Sequence, residues 1–315
     1  MLRYLLRKLP TGVLVLLLAT VPIFLVLRLS PGDPAATLAG PDATPEAIDA
    51  ARHELGLDRP LVQQYGDWIG GVLTGNLDTS FVNGAEVSEI VSRGIGNTGM
   101  LALCALLLAL LMAFPLGVAG AVVRRGWLRT LLAGVNVLML AIPTYVTGVL
   151  LVLIFAVGLR LLPSGGYVSF FDDPVESIQF LVLPSICLAL PAAAVLARFL
   201  TASLQRAVTE EYYFAARMRG LRGRKLLVRH GLPNSVGPVV TVLGIQIGNL
   251  LGGAVIVEGV FAWPGLGQAM VRAAEARDYP VVQALLLLAV AVFIVLQLLS
   301  DVVYAAIDPR VRERT

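Results

Sequence analysis

Apolar runs long enough to cross a bilayer recur six times along this chain, at about 9–29, 98–123, 130–159, 179–204, 235–257 and 282–306. Each is near or above the roughly 20 residues that a spanning helix needs. Inside hydrocarbon the backbone N–H and C=O groups have to be satisfied within the segment, so runs of this kind fold as helices. The expected fold is an all-α membrane protein with six transmembrane helices. A soluble domain is excluded, because 57% of residues are hydrophobic and only 14% charged. The first run follows a basic start, as in a signal peptide. Its apolar stretch is longer than a typical h-region, and SPGDPAATLAG after it offers a poor cleavage site, so it reads as a retained first span.

Charge placement orients the chain. With the N-terminus inside, the cytoplasmic segments hold 16 of the 24 basic residues and four acids, and the outer segments hold seven basic and sixteen acidic residues. This asymmetry follows the positive-inside rule and puts both termini in the cytoplasm. The net charge of +3 thus reports topology, and no nucleic-acid-binding motif accompanies it. Cys104 and Cys187 both lie in apolar spans and read as small buried hydrophobes, with no metal site or disulfide framework.

The expected organisation is a cytoplasmic N-terminus and first span over 1–29, then an extracytoplasmic helical segment over 30–97. A five-helix transmembrane core over 98–308 follows, with a cytoplasmic loop at 205–233, an outer loop at 258–281 and a tail at 309–315. In the outer segment Thr44 is placed to cap a helix with Pro45 at its first position, and Gly56 to end it. Further helices are expected around Leu61–Ile69 and Glu86–Arg93. Together they would form a small cap, whose ten acids and three arginines mark a wet surface. In 258–281 a tight turn is expected at Pro264–Gly265–Leu266–Gly267, then a short amphipathic helix to Arg277. Phe261, Trp263, Pro264 and Leu266 stand at this outer boundary. They read either as an aromatic belt at the headgroups or as an outer gate that meets a docked protein.

Residues 209–233, TEEYYFAARMRGLRGRKLLVRHGLP, are a basic island between two apolar runs. Thr209 is placed to N-cap a short helix, with Glu210 and Glu211 in its first turn. Gly220 is placed to stop it in the left-handed conformation. Gly231 and Pro233 are expected to break the chain before the next span. A short helix held at the membrane face by two spans suits docking of a soluble partner.

The spacing Ala215–Ala216, Gly220 and Leu232–Pro233 resembles the cytoplasmic "EAA" loop of ABC importer permeases, with Phe214 and His230 departing from its consensus. LRYLLRKLP…RLSPGDP at the start, LGLDRPLVQQY at 55–65, GAVIVEGVFAWPGLGQAM…ARDYPVVQ at 253–283 and DPRVR at 308–312 resemble the dipeptide and oligopeptide permeases of that group. The resemblance covers nearly the whole chain. It implies a type I ABC importer permease fold in the bacterial inner membrane. It also implies a coupling helix over Ala215–Gly220, with Glu211, Arg217, Leu232 and Pro233 in the same ATPase-coupling loop. The implied partners are a second, homologous permease subunit, two ATP-binding subunits and an extracytoplasmic substrate-binding protein. The implied cargo is short peptides, with nickel chelates, haem or glutathione as alternatives. ATP and Mg would sit in the partner subunits, and no cofactor in this chain.

Within 235–257, Gly244, Gly248 and Gly252 recur every fourth residue and form a stripe that another helix can approach closely. Gln246 and Asn249 lie on a different face, with Gly253. Polar side chains are costly in lipid, so these amides should face the bundle interior or a watery translocation path. Asn136 in the third run has the same two readings, path or interhelical hydrogen bond. Arg198 and Asp301 are the deepest charges near the cytoplasmic side, and they read either as an ion pair or as Arg198 snorkelling alone to the interface. Pro115, Pro143, Pro184 and Pro191 interrupt spans.

Absences narrow the class. There is no G-x-x-x-x-G-K-[ST], no H-E-x-x-H and no G-x-S-x-G, and the two histidines, His53 and His230, fall on opposite sides of the membrane. The chain is expected not to be an enzyme on its own. A stand-alone carrier or channel is the competing class, and it would need intramembrane carboxylates near the midplane that this sequence does not supply.

Overall fold

The structure is a computed structural model that describes residues 2–29, 32–40 and 42–307, with side chains for 9–29, 32–40 and 42–298. Arg3, Arg7, Lys8 and Asp301, and with Asp301 its expected pairing with Arg198, fall outside the described side chains, and DPRVR at 308–312 lies outside the described residues. Among the described residues the regular structure is helical, and the one β contact is an isolated bridge between Thr79 and Glu86.

Helix α1 spans Leu2–Leu29; α2 (Pro34–Ala39), α3 (Pro45–Glu54) and α4 (Leu61–Thr74) follow it. Then come α5 (Val87–Val122), α6 (Gly126–Ala141), α7 (Thr144–Leu151) and α8 (Pro174–Ala207). The remainder is α9 (Glu211–Met218), α10 (Gly223–Leu226), α11 (Leu232–Val260), α12 (Leu266–Glu275) and α13 (Tyr279–Ile307). Five helical stretches among the described residues are long and apolar enough to cross a membrane, and six if α6 and α7 count as one broken span.

Of the four prolines expected to interrupt spans, Pro143 breaks the third span outright. α6 and α7 meet at 103°. Pro143 has no N–H to continue the ladder and drives Ile142 into extended backbone (φ −80°, ψ 122°). α7 then opens from the Pro143 carbonyl, which accepts from the Thr147 N–H at 3.0 Å. A wide-turn (π) segment, Val152–Gly158, continues it. Pro115, Pro184 and Pro191, in contrast, stay inside continuous helices.

Two further expectations change. The helix expected around Glu86–Arg93 is the first two turns of the 36-residue α5, because nothing between Arg93 and the apolar run stops helix propagation. Gly231 and Pro233 do not break the chain either: helix runs from Gly223 to Val260. The turns at Leu227–Gly231 widen just before the proline, which relieves the clash of its ring with the preceding turn. Side chains satisfy the loosened carbonyls: Asn234 Nδ2 donates to His230 O at 2.7 Å and Ser235 Oγ to Gly231 O at 2.8 Å.

The chain divides into two compact units, Met1–Thr98 with Pro264–Val295, and Gly99–Trp263 with Leu296–Thr315. In the first, Thr44 accepts from the Ala47 N–H and Gly56 takes φ +64°, so α3 is capped at both ends as its sequence implies. Phe24 of α1, 2% exposed, packs edge-on against Tyr65 (5.4 Å) and stacks with Trp68 (6.1 Å), both on α4. The Thr20 hydroxyl donates to Leu17 O, so Tyr65 OH donates to Thr20 Oγ1 at 2.7 Å. Val87 and Val91 meet Ala273, Val281 and Leu285 in a small core. Asp278, 4% exposed, accepts from Ser80 Oγ and, at 3.0 Å, from the Phe81 N–H, tying the 79–86 turn down.

The second unit is built around α8, two thirds of whose spanning window is buried. Its alanines, from Ala189 to Ala197, let neighbours approach closely. One close approach is at Gly117 of α5, where a Cβ would stand 2.8 Å from Leu200 Cβ, and Thr201 Oγ1 donates to Gly117 O at 3.0 Å. The Cys187 thiol donates to Thr144 O at 3.2 Å. Both cysteines are free, Cys187 buried and Cys104 half-buried.

Candidate coupling site and translocation path

The basic loop is a folded platform. Thr209 closes α8, its hydroxyl donating to Arg206 O at 2.7 Å, so the expected cap moves one residue on and α9 begins from Glu210 without a side-chain cap. The C-terminus of α9 is as expected. Gly220 has φ +88°, its N–H bonds Arg217 O at 3.0 Å, and the Leu221 N–H reaches back to Ala216 O at 3.4 Å. These two bonds make the paired closure that a glycine in left-handed backbone permits. Gly223 (φ +56°) provides a second turn into α10.

One face of α9 holds it in place. Ala216 is 6% exposed and Leu226 of α10 is 4% exposed. Gly231 has Tyr213 Cε2 and Leu204 Cδ2 each 3.6 Å from where a Cβ would lie, so α9, α8 and the head of α11 converge there. The opposite face is open. Phe214 is 63% and Met218 73% exposed, and Glu211, Ala215 and Arg217 are also exposed. Glu211, Phe214, Ala215 and Met218 follow i, i+3, i+4, i+7 spacing and so share one stripe. At its edge, burial pushes the Tyr212 phenol up from its ordinary value, with Glu210 and Tyr213 adding to the rise, so it stays a neutral donor. Leu232 is half-buried and Pro233 exposed. The structure thus separates the motif into an anchoring residue, Ala216, and a presenting stripe. The open Phe214 and Met218 were not singled out by spacing alone.

The span amides are placed differently from one another. Gln246 is 5% exposed and accepts from Asn249 Nδ2 at 2.9 Å, while Asn249 lies on an exposed face. Asn136 donates to Ala194 O of α8 at 2.9 Å, the interhelical bond that was one of its two readings. Gly253 faces Leu188, whereas a Cβ at Gly248 or Gly252 would meet nothing within 4 Å. At these two glycines the stripe is open to a packing partner.

At the outer turn, Phe261 and Trp263 are 1% and 0% exposed. Neither ring forms a headgroup belt or a surface for a docked protein, because both are core side chains of the second unit. Trp263 sits edge-on to Tyr167 at 5.0 Å. The Phe261 carbonyl accepts from the Gly166 N–H at 2.8 Å, and Gly165 is so close that a Cβ would lie 2.5 Å from Phe261 O. The 160–178 loop is thereby latched to the turn. Ala262 between the rings has φ +51°. In the first unit, Pro264 O accepts from Asn97 Nδ2 and the Leu266 N–H donates to Thr98 Oγ1, both at 2.8 Å. α12 begins at Leu266, inside the expected turn, with Leu266 packed against Gly94.

These features define a polytopic helical membrane protein with a structured basic loop between two of its spans. Comparison with known proteins fixes its family. The chain matches the binding-protein-dependent transport system inner membrane component over residues 105–313 and the N-terminal model of such membrane components over residues 1–102. It belongs to this family of ABC importer permeases. It is 40% identical over 312 residues to the glutathione transport system permease protein GsiC of Salmonella typhimurium (strain LT2), covering 99% of each chain. It is 37% identical to the protein of that name from Escherichia coli (strain K12), again over 99% of each. In fold it is similar to the inward-facing MetNI methionine ABC transporter, with a TM-score of 0.57 at 19% identity over 70% of this chain and 96% of that one. An amino acid ABC transporter follows at a TM-score of 0.50 and 17% identity, covering 68% and 94%. The expected type I ABC importer permease fold is confirmed.

Proposed function

We propose that this chain carries short peptides, glutathione among them, inward across a bacterial inner membrane by alternating access, with both termini in the cytoplasm. The observation that supports this reading most is the full-length likeness to glutathione permeases at 37–40% identity. Glutathione is itself a tripeptide, so that cargo and the peptide-permease resemblance describe one chemical class.

ATP hydrolysis belongs in this reading to two partner subunits, which hold ATP and Mg. The stripe of Phe214, Ala215 and Met218 inserts into a cleft of one of them, with Glu211 and Arg217 at its rim. Ala216, Gly220, Leu232 and Pro233 hold the stripe in register with the spans. A second, homologous permease packs on the Gly244–Gly248–Gly252 stripe, and an extracytoplasmic binding protein delivers the cargo. Gln246 and Asn249 border the path, Asn136 braces it, and the Phe261–Leu266 turn acts as an outer gate, moved through its packing.

Uptake of labelled glutathione and of peptides two to five residues long, by cells lacking this chain and by complemented cells, tests the cargo. Loss that the wild type restores and Gly220→Arg does not is the expected result. Uptake unchanged for every probe would move the cargo outside peptides. Coupling is read separately, by cargo-stimulated ATP hydrolysis in the assembled complex. Normal stimulation in both Gly220→Arg and Ala216→Glu would remove the loop from that role.

A further inference from the structure

The first unit contains a cavity of about 300 Å³ lined by three side chains that carry buried polar atoms with no partner among the described residues. Arg28 Nε and Nη1, at the end of α1, and Gln283 Nε2, in the first turns of α13, are buried donors without an acceptor, and Gln64 Oε1 on α4 is a buried acceptor without a donor. All three side chains line the same cavity. Gln283 is 3% and Gln64 8% exposed. The Gln64 amide is fixed from its other end, since Nε2 donates to Leu57 O and Arg59 O.

A buried polar group left unpaired forfeits its hydration without recompense, and a charged one forfeits more. One such group is an irregularity; three converging on one space form a recognition pattern. The guanidinium of Arg28 lies against the rings of Phe24 (5.1 Å) and Tyr279 (4.8 Å). Aromatic faces offset part of its charge but accept no in-plane N–H bonds. Three carboxylates line the same cavity, Glu54, Asp67 and Asp78, and among the described residues none of them bonds Arg28 Nε or Nη1: Asp67 is paired with Arg59 at 3.3 Å, and Asp78 Oδ1 takes the Thr79 N–H at 2.8 Å.

We propose that this cavity binds a small oxyanion, carboxylate or phosphate, that carries an N–H or O–H donor beside it. Arg28 and Gln283 hold the oxyanion, and Gln64 Oε1 accepts from the neighbouring donor. An α-amino acid unit, ammonium next to carboxylate, has this chemistry, and so does the phosphate–ammonium headgroup of phosphatidylethanolamine. At about 30 Å³ per water the space equals roughly ten waters, the size of such a group and too small for a folded partner. Because binding is read without transport, the assignment stands apart from the cargo reading above.

The test uses the full chain in phosphatidylcholine nanodiscs, a lipid whose headgroup has no donor. Labelled glutathione is titrated in one arm; in the other, added phosphatidylethanolamine is counted on the protein by native mass spectrometry. One probe is expected to saturate wild type. Arg28→Gln and Gln283→Leu should each weaken it at least tenfold, and Arg28→Lys, which keeps charge without the planar fork, should fall between. The arm that responds identifies the source. If Arg28→Gln does not fold, Gln283→Leu, an apolar swap at a buried site, carries the comparison. Saturation by neither probe, or equal binding by wild type and Gln283→Leu, overturns the site.

Discussion

Gly220 is constrained by its backbone alone. It sits at φ +88°, and a Cβ there would meet nothing within 4 Å. Gly220→Ala should therefore cost only the left-handed penalty of about 1–2 kcal/mol. Faster amide exchange over 211–221, with little change in the thermal midpoint of the whole chain, is the expected outcome; unchanged exchange would mean that the closure tolerates a side chain. Asp278 is the opposite case. Asp278→Ala strips acceptors from a buried hydroxyl and a backbone N–H together, at about 1–3 kcal/mol apiece. A clear fall in melting temperature is expected, with a smaller one for Asp278→Asn, which retains a carbonyl.

Among elements, the outer loop latch makes the sharpest claim. Gly165→Ala places a methyl 2.5 Å from Phe261 O, and backbone cannot yield as a flexible side chain can. The loop should detach from the turn at a cost of about 1–3 kcal/mol, seen as protease sensitivity over 160–178. Resistance like that of wild type would show that the latch adapts. Ala262→Gly should act the other way, since Ala262 stands at φ +51° and glycine removes a penalty of about 1 kcal/mol. A raised melting temperature checks it. Both substitutions also bear on the proposed gate: a stiffer or looser turn should change transport without touching the α9 platform.

For the whole molecule, the open glycine stripe of α11 separates folding from assembly. Gly248→Leu with Gly252→Leu adds bulk where this chain has no neighbour within 4 Å. The isolated chain should keep its melting temperature, while co-purification with a homologous permease should be lost. Retained co-purification would place that partner on another face.

Fold class, the positions of five long helices, the α3 caps and the Gly220 closure were legible in the sequence, because each rests on local physics. A 20-residue apolar run has nowhere to go but a helix in lipid, and a glycine after a helix closes it whatever lies around it. The fate of prolines and aromatics was not local. Pro143 breaks its span and Pro191 does not, although both interrupt apolar runs, because the outcome depends on what packs against the freed carbonyls. Phe261 and Trp263 looked like boundary residues and proved to be core, since burial is decided by chain segments distant in sequence. Arg28, Gln64 and Gln283 carried no shared motif, and only the packing of α1, α4 and α13 brought them to one cavity.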